Sequence, residues 1–350
     1  MTLDVERIRS CFPALNHGAA HFDGPGGTQT PTSVSRAMCD LLEGPVANRG
    51  TVTLAEQRAE ATVTGARAAM ADLLGADPDG IVFGRSMTQL TFDFARTLAQ
   101  DWQPGDEVVV SRLDHDANVR PWVRYAEKSG ATLRWIGFDP GSGHLDITDV
   151  EAVLSDRTKV VAITGASNIL GTRPDLPAIS KSVHAAGALL YVDGVHLTPH
   201  SVVDVSALGA DFYGCSPYKF FGPHIGVLAA APSLLERLHP DKLLPSTEVV
   251  PERFELGTLP YELLAGITAA VEFIADMVPG SGSRRNRIVR SMTVAEEYED
   301  SLSHRLRDGL ATIDGVTVFS NARSKTPTEL FRISGVADED AYHYFASRNV

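Results

Sequence analysis

Cysteine is scarce in this chain: Cys11, Cys39 and Cys215 are the only three in 350 residues. An odd number without paired spacing excludes a disulfide framework and a cysteine-based zinc site, and no metal is expected. Such usage suits a reducing compartment, so the protein is expected to be cytoplasmic. Long apolar runs are missing as well. Nothing approaches the ~18 consecutive apolar residues of a spanning helix. The opening MTLDVERIRSCFPAL lacks a basic segment followed by an apolar core, so neither membrane insertion nor export is expected. Positive charge is also short. Lys and Arg number 31 against 44 Asp and Glu, a formal net charge of -13, which argues against nucleic acid or an anionic membrane as partner. No G-x-G-x-x-G follows a first strand, so a dinucleotide-binding oxidoreductase has no support. An anionic ligand would have to rely on local donors.

What is present is enough apolar content, 43% against 21% charged, for one large core and a smaller second domain. Apolar runs at 81–83, 107–111, 160–164, 189–192 and 211–215 alternate with helix-like stretches such as 117–129 and 176–186. That alternation predicts an α/β fold with a mainly parallel sheet and helices on both faces. A helical stretch at 259–277 runs into the breaker Pro279-Gly280-Ser281-Gly282-Ser283, after which 284–311 reads as one long helix. Residues 316–319 and 329–333 read as strands of a small α+β domain. The expected organisation is an N-terminal arm 1–20, a large domain 21–278 and a small domain 284–350.

The most informative stretch is YVDGVHLTPHSVVDVSALGADFYGCSPYKFFGPHIGVL, from Tyr191 to Leu228. Asp193 ends one apolar run and Lys219 follows the next, so both should lie at the carboxyl-terminal rim of the sheet, where open α/β folds bind ligands. Pyridoxal 5'-phosphate (PLP) needs an amine for a Schiff base with its aldehyde, a carboxylate that keeps its ring nitrogen protonated, and donors for its phosphate. Lys219 and Asp193 suit the first two roles. Bland alternatives stay open for each residue singly. Asp193 could be only a helix cap and Lys219 a surface lysine, although Phe220 and Phe221 beside it speak for burial. His115 could cap the helix that begins near Ala117, Thr88 and Ser216 could be capping hydroxyls, and Cys215 a small buried residue.

The wording Cys215-Ser216-Pro217-Tyr218-Lys219-Phe220-Phe221-Gly222-Pro223-His224-Ile225-Gly226 resembles the class V aminotransferase and cysteine desulfurase-like family of fold type I PLP-dependent enzymes. Further segments match in the family's order. His21-Phe22-Asp23-Gly24-Pro25-Gly26-Gly27-Thr28-Gln29 resembles its opening loop, which borders the substrate. Ser86-Met87-Thr88-Gln89 resembles its phosphate-holding helix start, Asp114-His115-Asp116-Ala117-Asn118 its ring-stacking histidine motif, and Ser167-Asn168-Ile169-Leu170-Gly171 its loop beside the ring oxygen. Arg253-Phe254-Glu255-Leu256-Gly257-Thr258 resembles the segment that donates a threonine across a dimer interface.

The resemblance implies a PLP-dependent enzyme acting on an amino acid, with Lys219, His115 and Asp193 catalytic. It implies cofactor contacts from Lys219, Asp193, His196, Met87, Thr88, His115, Asn168, Ser216, Tyr218 and Thr258, and a homodimer. The reaction expected from the family name is sulfur removal from L-cysteine through a Schiff base at Lys219. Class V amino transfer, β-elimination and epimerisation are alternatives, and a non-catalytic PLP-fold protein is an alternative of another class. Two departures bear on the reaction: desulfurases commonly carry glutamine at the position of His196 and histidine at that of Tyr218. The family also continues past the position of Val350 with a substrate-binding arginine and a cysteine loop, so the small domain is expected to be incomplete and the chain a fragment.

Overall fold

Val161 and Ile163 pack into one apolar core and Val160 and Ala162 into a second, so the strand that carries them is buried on both faces. The same division runs through its neighbours. Leu190 and Val192 join the first core and Tyr191 the second, while Tyr213 and Cys215 lie opposite Phe212. Double burial is why these segments read as continuous apolar runs rather than as alternating patterns.

The computed structural model describes residues 2–319 and 321–350. Its main sheet has seven strands: β1 (Ile81–Gly84), β2 (Glu107–Ser111), β3 (Thr132–Ile136), β4 (Thr158–Thr164), β5 (Leu189–Asp193), β6 (Phe212–Cys215) and β7 (Gly226–Ala230). They lie in the order β1-β7-β6-β5-β4-β2-β3. Only β7 runs against its two neighbours; the others are parallel, and β1, antiparallel to β7, points the same way as the rest. The sheet is thus mainly parallel with helices on both faces, the predicted fold class.

Two strands have no counterpart in the sequence reading. At the sheet edge, β3 has Arg134 and Trp135 exposed, so its apolar signal is broken. Gly226-Val227-Leu228-Ala229-Ala230, which forms β7, is poor in the β-branched and aromatic residues that mark a strand, and pairing on both sides overrides that weakness. The predicted helix at 117–129 begins later. A 3-10 turn, Asp116–Asn118, precedes the helix Arg120–Ser129, which has Pro121 in its first turn.

Helices Thr32–Glu43 and Leu54–Leu74 pack against helix Tyr261–Ala275. After the breaker, Ser283 caps the helix Arg284–Ala311 by accepting from the Asn286 N–H at 3.2 Å. The chain then forms an antiparallel pair, β8 (Val316–Val318) and β9 (Phe331–Ile333), and the helix Asp338–Ala346. Between β8 and β9 the segment 322–328 returns to the main unit. The N–H of Thr326 donates to the Gly171 carbonyl and that of Arg173 to the Ser324 carbonyl, both at 2.9 Å. No helix among the described residues is long and apolar enough to cross a membrane.

Candidate functional site

Parallel registers bring three strand ends together: Thr164 of β4 is level with Asp193 of β5, and Asp193 with Gly214 of β6. The turns after β1, β2, β4, β5 and β6 open on the same edge and line a partly open cleft. Lys219, Asp193 and His115 all line it. So do Met87, Thr88, Asn168, His196, Ser216 and Tyr218. Of the residues expected from the sequence, Thr258 alone stands apart; it is exposed and does not line the cleft.

Lys219 is held by a strained turn. Pro217–Lys219 forms a 3-10 turn after β6, and the chain reverses through Phe221 at φ 70, a left-handed conformation uncommon for a bulky side chain. Three contacts stabilise that turn: the Phe221 N–H donates to Thr28 Oγ1 at 2.8 Å, and its ring packs edge-on against Phe12 and Phe273. The buried Lys219 amine donates to the Pro25 carbonyl and, among the described residues, meets no carboxylate within ion-pair distance. Burial holds its pKa below the ordinary lysine range, with Asp193 and Asp23 opposing the shift.

Asp193 is also buried. Its Oδ1 accepts from the Val195 N–H at 2.9 Å, while Oδ2 has no protein partner among the described residues. Burial pushes its pKa up to about 6, against the pull of the Val195 N–H, His115 and Lys219. A carboxylate so placed gains from any cation brought against it.

Helix Met87–Leu98 starts at the opposite wall. Ser86 is its cap, with Oγ accepting from the Gln89 N–H at 3.1 Å, so Thr88 is free of the capping role. The N–H groups of Met87 and Thr88 precede the first intrahelical bonds and point where an anion is favoured. The helix start comes this close only because Gly226 of β7 has no side chain: a Cβ there would sit 2.2 Å from the Ser86 carbonyl carbon. Buried Ser216 makes no capping bond. Among the described residues, the hydroxyls of Thr88 and Ser216 both lack a protein hydrogen-bond partner. Tyr218 stacks on His224 with ring centroids 4.6 Å apart, which fixes its ring at the cleft wall.

His115 fills two descriptions at once. Its Nδ1 accepts from the Ala117 N–H at 3.1 Å, a cap, and its ring lines the cleft. When neutral it therefore carries its proton on Nε2. His196 is buried, and its Nε2 lies 3.1 Å from Thr326 Oγ1 and 2.9 Å from Thr328 Oγ1. Burial, with His200 and Lys219 nearby, lowers its pKa to about 3, so the ring is neutral.

One group escaped the sequence reading although its motif was noted. Asp114 takes donation from Ser111 Oγ and, at 2.7 Å, from Asn118 Nδ2; Asn118 Oδ1 in turn accepts from Trp122 Nε1 at 3.2 Å. Burial pushes its pKa up to about 8. Asp114 thus stays largely protonated at neutral pH and leaves Asp193 as the negative charge of this wall. Together these groups can bind a compact anion, form an imine with a carbonyl, and hold positive charge against Asp193.

Comparison with known proteins agrees with that chemistry. The family described as Aminotransferase class-V matches residues 20–350. An uncharacterized protein of Mycobacterium tuberculosis is 32% identical over 100% of this chain and 88% of its own length. The aminotransferase-like protein FGM3 of Gibberella zeae is 32% identical over 97% of this chain and 84% of its own. A cysteine desulfurase of Dickeya dadantii is 34% identical over 77% and 71%. Among solved structures, the cysteine desulfurase CsdA of Escherichia coli superposes with a TM-score of 0.86, at 27% identity over 99% of this chain and 87% of that one.

Proposed function

Because the chain belongs to the class V aminotransferase family, we propose that it is a PLP-dependent enzyme acting on an amino acid, a cytoplasmic homodimer whose reaction is sulfur removal from L-cysteine. The observation that carries the reading is the meeting in one cleft of a buried amine, a buried carboxylate and two hydroxyls beside a helix start, where among the described residues the amine has no carboxylate partner, one carboxylate oxygen is free and both hydroxyls are unpartnered. That donor set suits PLP: Lys219 for the aldehyde, Asp193 for the ring nitrogen, and Thr88, Ser216 and the N–H groups of Met87 and Thr88 for the phosphate. Tyr218, Asn168 and His196 complete the walls, and His115 covers the ring. In this reading the arm 1–20, large domain 21–278 and small domain 284–350 divide the chain. Thr258, outside its own cleft, is offered to the phosphate of a second copy.

When bound, the cofactor supplies an electron sink for the pair released as a bond to the substrate Cα breaks. The protein's part follows from its own groups. The lowered pKa of Lys219 raises the fraction of free amine, which both carbonyl attack and proton abstraction from Cα require. Asp193 ionises fully once a cation lies against it and holds that charge in place. His115 assists proton transfer, and Pro25 releases the Lys219 amine when substrate enters.

Purified protein with PLP, L-cysteine and a thiol reductant is expected to yield alanine and sulfide. A keto acid formed with amino-group transfer would instead favour a second reading, class V amino transfer. That reading is supported by Cys215, whose thiol is packed in the core, raised in pKa and outside the cleft, and by the likeness to an aminotransferase-like protein. No turnover of any amino acid by PLP-loaded protein would point to a non-catalytic PLP-fold protein.

A further inference from the structure

His196 stands where two regions of the chain meet. It follows β5, lines the cleft, and turns its Nε2 toward two hydroxyls from the segment between β8 and β9. Nδ1 has no protein partner among the described residues. The neighbouring His200 ring lies edge-on at 5.0 Å, but its Nδ1 is engaged with Glu299 Oε2 at 2.8 Å and leaves His196 to the threonines. A neutral imidazole has one donor and one acceptor nitrogen, and the partner of one decides what the other presents. Among the described residues, Thr328 Oγ1 has only Thr326 Oγ1, at 3.2 Å, and His196 Nε2, at 2.9 Å, within hydrogen-bond distance. The imidazole nitrogen is the stronger base of these two acceptors, so the hydroxyl proton goes to it.

We propose that Thr328, seated by Thr326, is a positioning residue for His196: the Thr328 hydroxyl donates to Nε2 while the Thr326 hydroxyl is directed to the Gly171 carbonyl at 3.4 Å, which fixes the ring as its Nδ1–H tautomer and so presents a hydrogen-bond donor to the cleft. The acceptor is the anionic ring oxygen of the cofactor, a point that rests on the PLP reading; the tautomer does not depend on it. The segment is well tied for this task. Thr326 is buried and donates its N–H to Gly171, whose φ of +74 and whose close approach to Thr326 O, 2.8 Å from an added Cβ, both require glycine. The loop that ends there carries Asn168, so one C-terminal segment steadies two parts of the cleft wall.

Long-range proton–nitrogen spectra of histidine-labelled, cofactor-free protein test the claim, with the His196 signals assigned by their loss in His196→Gln. The expected result is a protonated Nδ1 and a bare Nε2. The Thr326→Val/Thr328→Val pair should lose that pattern and the Thr326→Ser/Thr328→Ser pair should keep it. A protonated Nε2 in the wild type, or an unchanged pattern in the valine pair, would overturn the proposal. Should the valine pair not fold, Thr328→Val alone gives the same comparison. A PLP titration adds the second readout. The valine pair should bind about 3- to 10-fold more weakly, as loss of one oriented hydrogen bond requires, and the serine pair like the wild type. Unchanged PLP affinity beside an altered tautomer would refute the contact with the cofactor. Absence of any Lys219-dependent band in the wild type would refute the PLP reading alone, the tautomer still being decided by the spectra.

Discussion

Strands β4 to β6 and strands β8 and β9 are built to different standards. In β5 and β6 almost every residue is buried, whereas no residue of β8, β9 or the helix Asp338–Ala346 is. Tyr342 in that helix is 70% exposed, while Trp122 beside the main sheet is fully enclosed. Every expected residue that lines the cleft comes from the main sheet and the turns that follow its strands, Asn168, Asp193, His196, Ser216, Tyr218 and Lys219 from the first region itself and Met87, Thr88 and His115 from the turns after β1 and β2. The second contributes Thr326 and Thr328, which touch the site through His196. Groups that must be placed within fractions of an ångström sit on doubly buried strands and the turns after them, and the C-terminal region acts by holding what those strands present.

That contrast can be broken most forcefully by cavity formation. Trp122→Ala should cost about 3–5 kcal/mol in urea unfolding, and Tyr342→Ala less than ~0.5 kcal/mol. Equal costs would erase the distinction. At the cleft, Asp193→Ala should lower kcat by about 10²- to 10³-fold in a steady-state assay with whichever amino acid is turned over, through loss of fixed charge stabilisation.

The pH dependence sharpens the comparison from inside the main region. Asp114, pushed up to about 8 from an ordinary aspartate value, binds its proton more tightly folded than unfolded. Its contribution to stability is fully present below the unfolded pKa and is lost as pH rises toward about 8. The stability of the cofactor-free wild type relative to Asp114→Asn should therefore fall between about pH 4 and 8 in denaturant titrations. A flat difference would show that the carboxyl is ionised throughout. A smaller effect than at the cleft is expected outside it: Thr258→Ala should weaken PLP binding about 10-fold by spectroscopic titration, as loss of one hydrogen bond to a charged group implies. Unchanged affinity would remove Thr258 from the phosphate site.

The legible parts of the sequence were those where local pattern and tertiary demand agree. Segments such as 160–163 and 189–192 are apolar throughout because both faces are covered, so strand, rim and the place of Asp193 followed. Edge strand β3 and the glycine- and alanine-rich β7 were not legible, since exposure broke one pattern and pairing on both sides replaced propensity in the other. A cap and a place on the cleft wall proved compatible for His115, whereas Thr88 lines the cleft without capping, its neighbour Ser86 being the cap. The Pro25 carbonyl that holds Lys219 has no signature in a sequence, because any residue offers a carbonyl. Thr326 and Thr328 were hidden differently: common hydroxyls far along the chain meet His196 only through the fold. Asp114 was read as part of a motif, and only its burial with Ser111 and Asn118 gives it a charge state.

The central claim is that Lys219 and Asp193 form a PLP site, and the visible absorption spectrum of the purified protein with added PLP tests it most directly, beside Lys219→Ala. The account predicts a band that depends on Lys219 and is absent from the variant. No band in the wild type, or the same band in both proteins, would contradict it.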